Sequence, residues 1–318
     1  VLASGTNSIT GQPHAESTFK LPVEALKTVR AGKTYYAWFI FTNVNGEEIT
    51  RDAVELCPSV EQIGTVLPCG KISVNQTETV TTETGNIRYV FSPQTGQLIS
   101  SESPLDPCEK SAFGKENVRK AVDLNQYTTS VKEWSVEDRP DEVIIRAKVD
   151  CHVDSANHFT TIYRYSIGVD GRLDVNYEIL TDVAIPQIPI VGMTIKTVPE
   201  LKELHWLGLG PYDAYPNKKA APILGIWGGE AGSADVTGMK VTRWIERGNS
   251  KCGFRIMSNG YMKHDASHPE IMHILSYVFG RPEKGRQADE SVPQMRTDTG
   301  VPFVGGFSIL LNADLQKK

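Results

Sequence analysis

The chain has 318 residues, 40% hydrophobic and 22% charged, which is an ordinary balance for a globular protein able to bury a core, and is long enough for two domains. The formal net charge is −5 and no run of Lys and Arg occurs, so the basic stripe that a nucleic-acid binder uses to displace counterions is missing. No apolar stretch approaches the roughly 20 residues of a membrane-spanning helix.

The chain starts Val1-Leu2-Ala3, which reads either as the product of leader removal or as a piece of a longer protein. From the N-terminus the pattern is β. Residues 35–41 are aromatic and β-branched and run into Asn45-Gly46, a dipeptide that supplies the positive φ angles of a tight hairpin turn; residues 48–56 read as the return strand. Residues 58–84 are rich in Pro, Gly, Ser, Thr and Asn, and a linker is placed at 68–73. Residues 86–91 are a strand closed by the turn 92–96, and Leu98 starts the next strand. Residues 115–122 carry the scarce helical signal, two turns at most. Residues 143–151 alternate as a half-buried strand should, and 159–169, Asp170-Gly171 and 173–179 form the clearest hairpin. Residues 254–257 and 303–311 are further strands. Many strands with closely spaced turns point to antiparallel sandwiches, not to a parallel α/β sheet.

The five cysteines, Cys57, Cys69, Cys108, Cys151 and Cys252, are widely spaced with no CxxC pair, which argues against a zinc site of the usual spacing. A Cys57–Cys69 disulfide and free thiols are both compatible with the spacing, and the redox compartment stays open. His264, His268 and His273 lie near Asp265 and Glu270, ligand types that suit a metal. Ser267-His268-Pro269-Glu270 reads as a turn, however, so these side chains need not converge, and no metal or other cofactor is expected.

The most informative segment is His205 to Trp227, where three glycines and three prolines sit among four aromatics. Aromatic rings with polar edges suit a sugar, whose C–H face packs on a flat ring while its hydroxyls need hydrogen bonds. The same composition also suits a loop that plugs a sandwich core. The segment resembles the signature of the last domain of family-two β-galactosidases, matching at Trp206, Gly208, Gly210, Pro211 and Tyr215. Residues 87–98, 189–193 and 235–244 resemble other segments of that domain in the same order, and residues 19–22 and 31–36 resemble the end of the immunoglobulin-like domain that precedes it.

The resemblance implies an all-β chain. Residues 1–67 would be a small, truncated immunoglobulin-like sandwich piece, and 70–318 a large antiparallel supersandwich similar to galactose mutarotase. In that family the supersandwich packs against a catalytic (β/α)₈ barrel and lends side chains to the rim of its active site. Retaining glycosidases need two carboxyl groups about 5 Å apart, which in that family lie on the barrel. This chain lacks the alternating strand and helix pattern of a barrel, so no catalytic residue is assigned to it. The resemblance implies a non-catalytic part of an enzyme that hydrolyses terminal β-galactosides. Its partners would be a galactoside-like carbohydrate and the catalytic barrel of the parent protein, with an oligomer compatible with both. The substrate-binding candidates are Trp206, Tyr212, Asp213, Tyr215, Lys218, His273, Arg281 and Glu283.

Departures from the family pattern fall on polar positions. Asp213 stands for Glu, Asn217 and Lys218 for Asp and Arg, and Ile190 for an Arg; residues 106–117 do not match the family's Asp- and Asn-rich stretch. Lys cannot reproduce the planar two-pronged donation of Arg. No Trp follows Trp244, and His273 with the polar stretch 280–286 stands near the place of the family's C-terminal Trp. Two other readings stay open: a stand-alone carbohydrate-binding module, and an aldose epimerase using His158 or His264 as acid with Asp213 or Glu283 as base. Export to the periplasm or beyond suits a polysaccharide-degrading enzyme, but no segment of the sequence assigns a compartment.

Overall fold

A computed structural model of the chain describes residues 4–9, 16, 18, 35–57, 71–102, 112–118, 128–152, 158–181, 190–218, 220–250, 252–278 and 301–311. The chain falls into two compact units, Val1–Thr65 and Val66–Lys318. In the first unit, β1 (Tyr35–Thr42) and β2 (Glu48–Cys57) pair antiparallel around Asn45-Gly46, with Gly46 at φ 83°. That positive φ is the reason the dipeptide reads as a turn.

The second unit contains two antiparallel sheets. The smaller has β3 (Ser73–Gln76), β4 (Val80–Thr84), β5 (Ile87–Ser92) and β6 (Gln97–Glu102) in sequence order. The larger has twelve strands. Those not already named are β7 (Ala112–Val118), β8 (Thr128–Asp138), β9 (Glu142–His152), β10 (His158–Gly168), β11 (Leu173–Thr181), β12 (Ile190–Lys196), β13 (Glu203–Gly210), β14 (Ile223–Glu230), β15 (Gly238–Gly248), β16 (Gly253–His264), β17 (Ile271–Val278) and β18 (Phe303–Leu311). Their main order is β14-β13-β15-β16-β18-β11-β10-β9-β8, and β17 and β12 continue from β16 to β7 as a branch. The expected all-β antiparallel sandwich is what the chain forms. The helical expectation for 115–122 is corrected over its first four residues, because Lys115 to Val118 belong to β7, whose Glu116, Asn117 and Val118 pair with β12 in an antiparallel ladder. Ladder hydrogen bonds from a neighbouring strand outweigh a weak local helix preference.

The two sheets share one core. Tyr89 and Phe91 of β5 are 0% exposed and meet the inward residues of β9, β10 and β11, among them Val149, Tyr165 and Val175. Phe91 and Tyr165 rings lie 5.0 Å apart. Polar ends are satisfied across the interface: Tyr89 Oη donates to the Gly171 carbonyl at 2.8 Å, and Tyr165 Oη donates to the Gly96 carbonyl at 3.3 Å. The turns at Gly96 and Gly171 read from the sequence are therefore also inter-sheet contacts. Among the described residues the only helical element is the 3₁₀ turn Ala234–Val236, and no helix is long and apolar enough to cross a membrane.

Cys252 is disulfide-bonded, a role neither cysteine arrangement had given it. Cys151 is buried in β9 and keeps a thiol.

Candidate functional site

The signature segment runs along β13 and leaves its C-terminal end. Every second residue of a strand faces the same way, so Trp206, Gly208 and Gly210 share a face. The Trp206 indole is 0% exposed, and its Nε1–H donates to the Leu209 carbonyl at 3.2 Å. A Cβ on Gly210 would lie 2.7 Å from the Trp227 ring and 2.9 Å from Trp206, and one on Gly208 would lie 1.9 Å from the Val241 carbonyl oxygen. The glycines of the motif are thus required by close approach of two indoles and a neighbouring strand. Trp206 was expected as a sugar contact; the structure corrects this, because an enclosed indole has no face left for a sugar ring. It serves to hold the strand that presents the following residues.

Those residues turn out over the sheet. The Gly210–Pro211 peptide is cis. Tyr212 is 64% exposed, the largest exposure among the aromatic residues of the segment. Asp213 folds back so that its Oδ1 accepts the Met239 backbone N–H at 3.2 Å, while Ala214 N–H donates to the Met239 carbonyl at 2.8 Å. Asp213 Oδ1 would lie 1.9 Å from a Cβ at residue 238, and Gly238 has φ +99°. Only glycine meets both demands there without strain. Tyr215 and Lys218 close a tight turn through reciprocal backbone hydrogen bonds of 3.2 and 2.9 Å. The Tyr215 ring packs on the buried cluster of Ile190, Met239, Leu275 and Val278, and Lys218 is exposed.

Lys240, which the sequence reading did not single out, ties this segment together. It is 2% exposed, its Nζ donates to the Pro211 carbonyl at 2.5 Å, lies 3.9 Å from Asp213 Oδ1 and stands 5.6 Å from the Trp206 ring centroid. Burial pulls its pKa down and Asp213 pulls it back up. The Gly-Met-Lys order after a turn was visible, but nothing in spacing alone says that this Lys turns inward.

His273 reaches the same sheet region by register. Met239 pairs with Lys263, Lys263 with His273, and His273 with Thr194, across β15, β16, β17 and β12. Directly paired residues of antiparallel strands point to one face. The row therefore begins where Asp213 docks and reaches His273 two strand spacings of about 4.8 Å away from Met239. Thr194 Oγ1 hydrogen-bonds His273 Nδ1 at 3.0 Å, which orients the imidazole. Arg281 and Glu283 lie outside the described residues.

The three histidines do not converge. His264 is 1% exposed, with Nε2 3.3 Å from the Pro269 carbonyl oxygen; His268 is exposed at the end of a turn in which Asp265 Oδ1 accepts from Ser267; and His273 faces the opposite side of the sheet from its neighbour in the register, His264's pair Met272. Among the described residues no group of three or more His, Cys, Asp and Glu is arranged to hold a metal. Burial lowers the pKa of His264. Its enclosure leaves it unsuited to the acid role weighed in the epimerase reading. His158 stacks on His152 at 6.1 Å, in the pair that ends β9 and begins β10.

Comparison with known proteins gives this geometry a family. A β-galactosidase of Lactococcus lactis subsp. lactis is 24% identical over 108 residues, which cover 34% of this chain and 11% of that protein. A β-galactosidase of Priestia megaterium is 26% identical over 169 residues, 49% of this chain and 16% of that protein. The chain thus spans less than a fifth of the length of these relatives. A galactose mutarotase related enzyme from Lactobacillus acidophilus superposes with a TM-score of 0.41 and 11% identity, covering 78% of this chain and all of that one. The family described as beta galactosidase small chain matches residues 83–255, more than half of the chain, and includes β13, its glycines and Lys240. The chain belongs to the β-galactosidase small chain family.

Proposed function

We propose that this chain is the non-catalytic, sugar-facing part of a β-galactosidase-type hydrolase, and that it completes the substrate pocket of a (β/α)₈ barrel carried by the parent protein. The observation that supports this most is the division of labour in the signature segment. Trp206 and the glycines are buried as a scaffold, while Tyr212 is held out at 64% exposure next to Asp213 and Lys218. A rigid strand presenting an aromatic ring and polar groups at its end is the arrangement a sugar site needs. Tyr212, Asp213, Tyr215 and Lys218 form the proposed rim on one side and His273 on the other; Arg281 and Glu283 belong to the proposal from the sequence alone. Asp213 is the shorter counterpart of the family's Glu, so the galactoside specificity of the rim is part of the proposal.

The N-terminal unit is read as part of an immunoglobulin-like domain. On its hairpin Trp38 and Ile40 lie on one face by strand alternation and remain 44% and 57% exposed, the kind of surface a second sheet covers. The domain division 1–67 and 70–318 belongs to the same proposal.

The test uses the purified chain and a chromogenic β-galactoside. Alone, the chain should not turn it over; mixed with the barrel-bearing remainder of the parent enzyme, it should restore hydrolysis. In the restored enzyme Tyr212→Ala should raise KM about tenfold, a loss of about 1.4 kcal/mol of binding. Turnover by the isolated chain would overturn the reading.

A further inference from the structure

A pocket lies at the opposite end of β13, about 23 Å from the signature turn at the usual strand rise. It encloses about 220 Å³ and is lined by Pro199, Lys202, Glu230, Arg247, Pro269 and Glu270 among others. None of these belongs to the rim described above.

Its walls are braced by the backbone. Arg247 Nε donates to the Leu201 carbonyl at 2.5 Å and Nη2 donates to the Pro269 carbonyl at 2.6 Å. Ala231 N–H donates to the Lys202 carbonyl at 2.7 Å, and Thr197 N–H to the Glu270 carbonyl at 2.8 Å. The pocket is therefore preformed, so a ligand need not order it. Arg247 is 2% exposed, and its third nitrogen, Nη1, has no hydrogen-bond partner. Burial pushes its pKa down to about 10, with Glu270 opposing the shift, so it is charged at neutral pH. A buried guanidinium nitrogen without a partner is costly, and native structures seldom leave one so.

The lining says which chemistry fits. Lys202 and Arg247 donate only; Glu230 and Glu270 accept only. The two positive and two negative charges cancel, so a free anion meets two carboxylates and a free cation meets two bases. Hydroxyl groups both donate and accept, and suit such a mixed set. Pro199 and Pro269 supply apolar walls for C–H surfaces. The volume is below the range of roughly 300 Å³ and more that holds drug-sized ligands, which restricts the occupant to a single ring.

We propose that this pocket is a second carbohydrate subsite, separate from the signature rim, which takes one neutral pyranose ring.

Calorimetric titration of the full 318-residue chain with methyl β-galactoside, methyl β-glucoside and inorganic phosphate tests it. At least one glycoside should bind and phosphate should not. The pocket double variant Lys202→Ala/Glu230→Ala, at exposed positions whose truncation leaves the core intact, should weaken glycoside binding about tenfold or more. Lys132→Ala, an exposed position on β8 outside both this pocket and the signature rim, should leave it unchanged. Three results would overturn the subsite: no glycoside binding at tens of millimolar, binding insensitive to the double variant, or preference for phosphate. Loss of binding in Tyr212→Ala alone would assign the sugar to the signature turn and equally end the proposal, while leaving the hydrolase reading in place.

Discussion

At the scale of single residues, a buried Lys decides the shape of the signature turn. Lys240 holds the Pro211 carbonyl and stands beside Asp213, at the point where β13 gives way to Tyr212. Lys240→Met keeps the stem's volume and removes the charged donor. The expected cost is about 1.5–3 kcal/mol, the range for hydrogen bonds to charged groups, read as a lower urea midpoint with unchanged slope. A neutral result would show that the turn is held by its backbone hydrogen bonds alone. His264 supplies a prediction in pH. Burial is the main cause that depresses its folded pKa, assisted by Arg247 and opposed by the Pro269 carbonyl, Asp265 and Glu270. The unfolded imidazole takes up its proton near pH 6.5, above the pH at which the folded one does. The stabilising contribution is therefore complete above pH 6.5 and is lost as pH falls toward the folded pKa. Denaturant midpoints between about pH 8 and 5 should fall on acidification, and His264→Asn should flatten that fall. Equal slopes in both proteins would remove His264 from the acid response.

At the scale of elements, β13 is shaped by what its glycines allow. Trp206 and Trp227 pair across β13 and β14, and Gly210 occupies the gap between their rings. Gly210→Ala places a methyl group inside both contacts, and overpacking of this kind costs about 1–3 kcal/mol. The change should appear as a lower melting midpoint and an altered indole fluorescence, while Gly232→Ala, at a site with open space around it, should move neither. If both variants behave alike, the indole packing is looser than the contact distances indicate. The hairpin 159–179 was legible, because alternation and Asp-Gly are local signals, and it pairs as β10 and β11 with Phe159 opposite Thr181. Residues 115–118 were misread, because their strand identity depends on β12, more than seventy residues away in sequence.

At the scale of the whole molecule, the second unit is held together by contacts between the four-stranded and twelve-stranded sheets. Tyr89 is fully buried, burial pushes its phenol far up in pKa, and the protonated hydroxyl donates to Gly171. Tyr89→Phe removes that bond and leaves the Gly171 carbonyl without this donor, at an expected cost of about 1–2 kcal/mol. Because Tyr89 touches the core shared by both sheets, the loss should shift one cooperative transition instead of creating a second. Separate transitions by calorimetry would mean the sheets fold as independent units.

The sequence by itself determined the antiparallel β class, the main turns and the family signature. Each of these rests on local order: alternation along a strand, glycine at positive φ, and motif spacing. It also placed Tyr212, Asp213, Tyr215 and Lys218 next to one another, since they are neighbours in the chain. Only the tertiary structure decided that Trp206 is enclosed, that Lys240 turns inward beneath the turn, and that His273 shares a register row with Met239. It alone assembled the Arg247 pocket from residues 199 to 270. The physical reason is that burial and cross-strand pairing depend on which distant strand lies alongside, and no local pattern in a chain specifies its neighbour in the sheet.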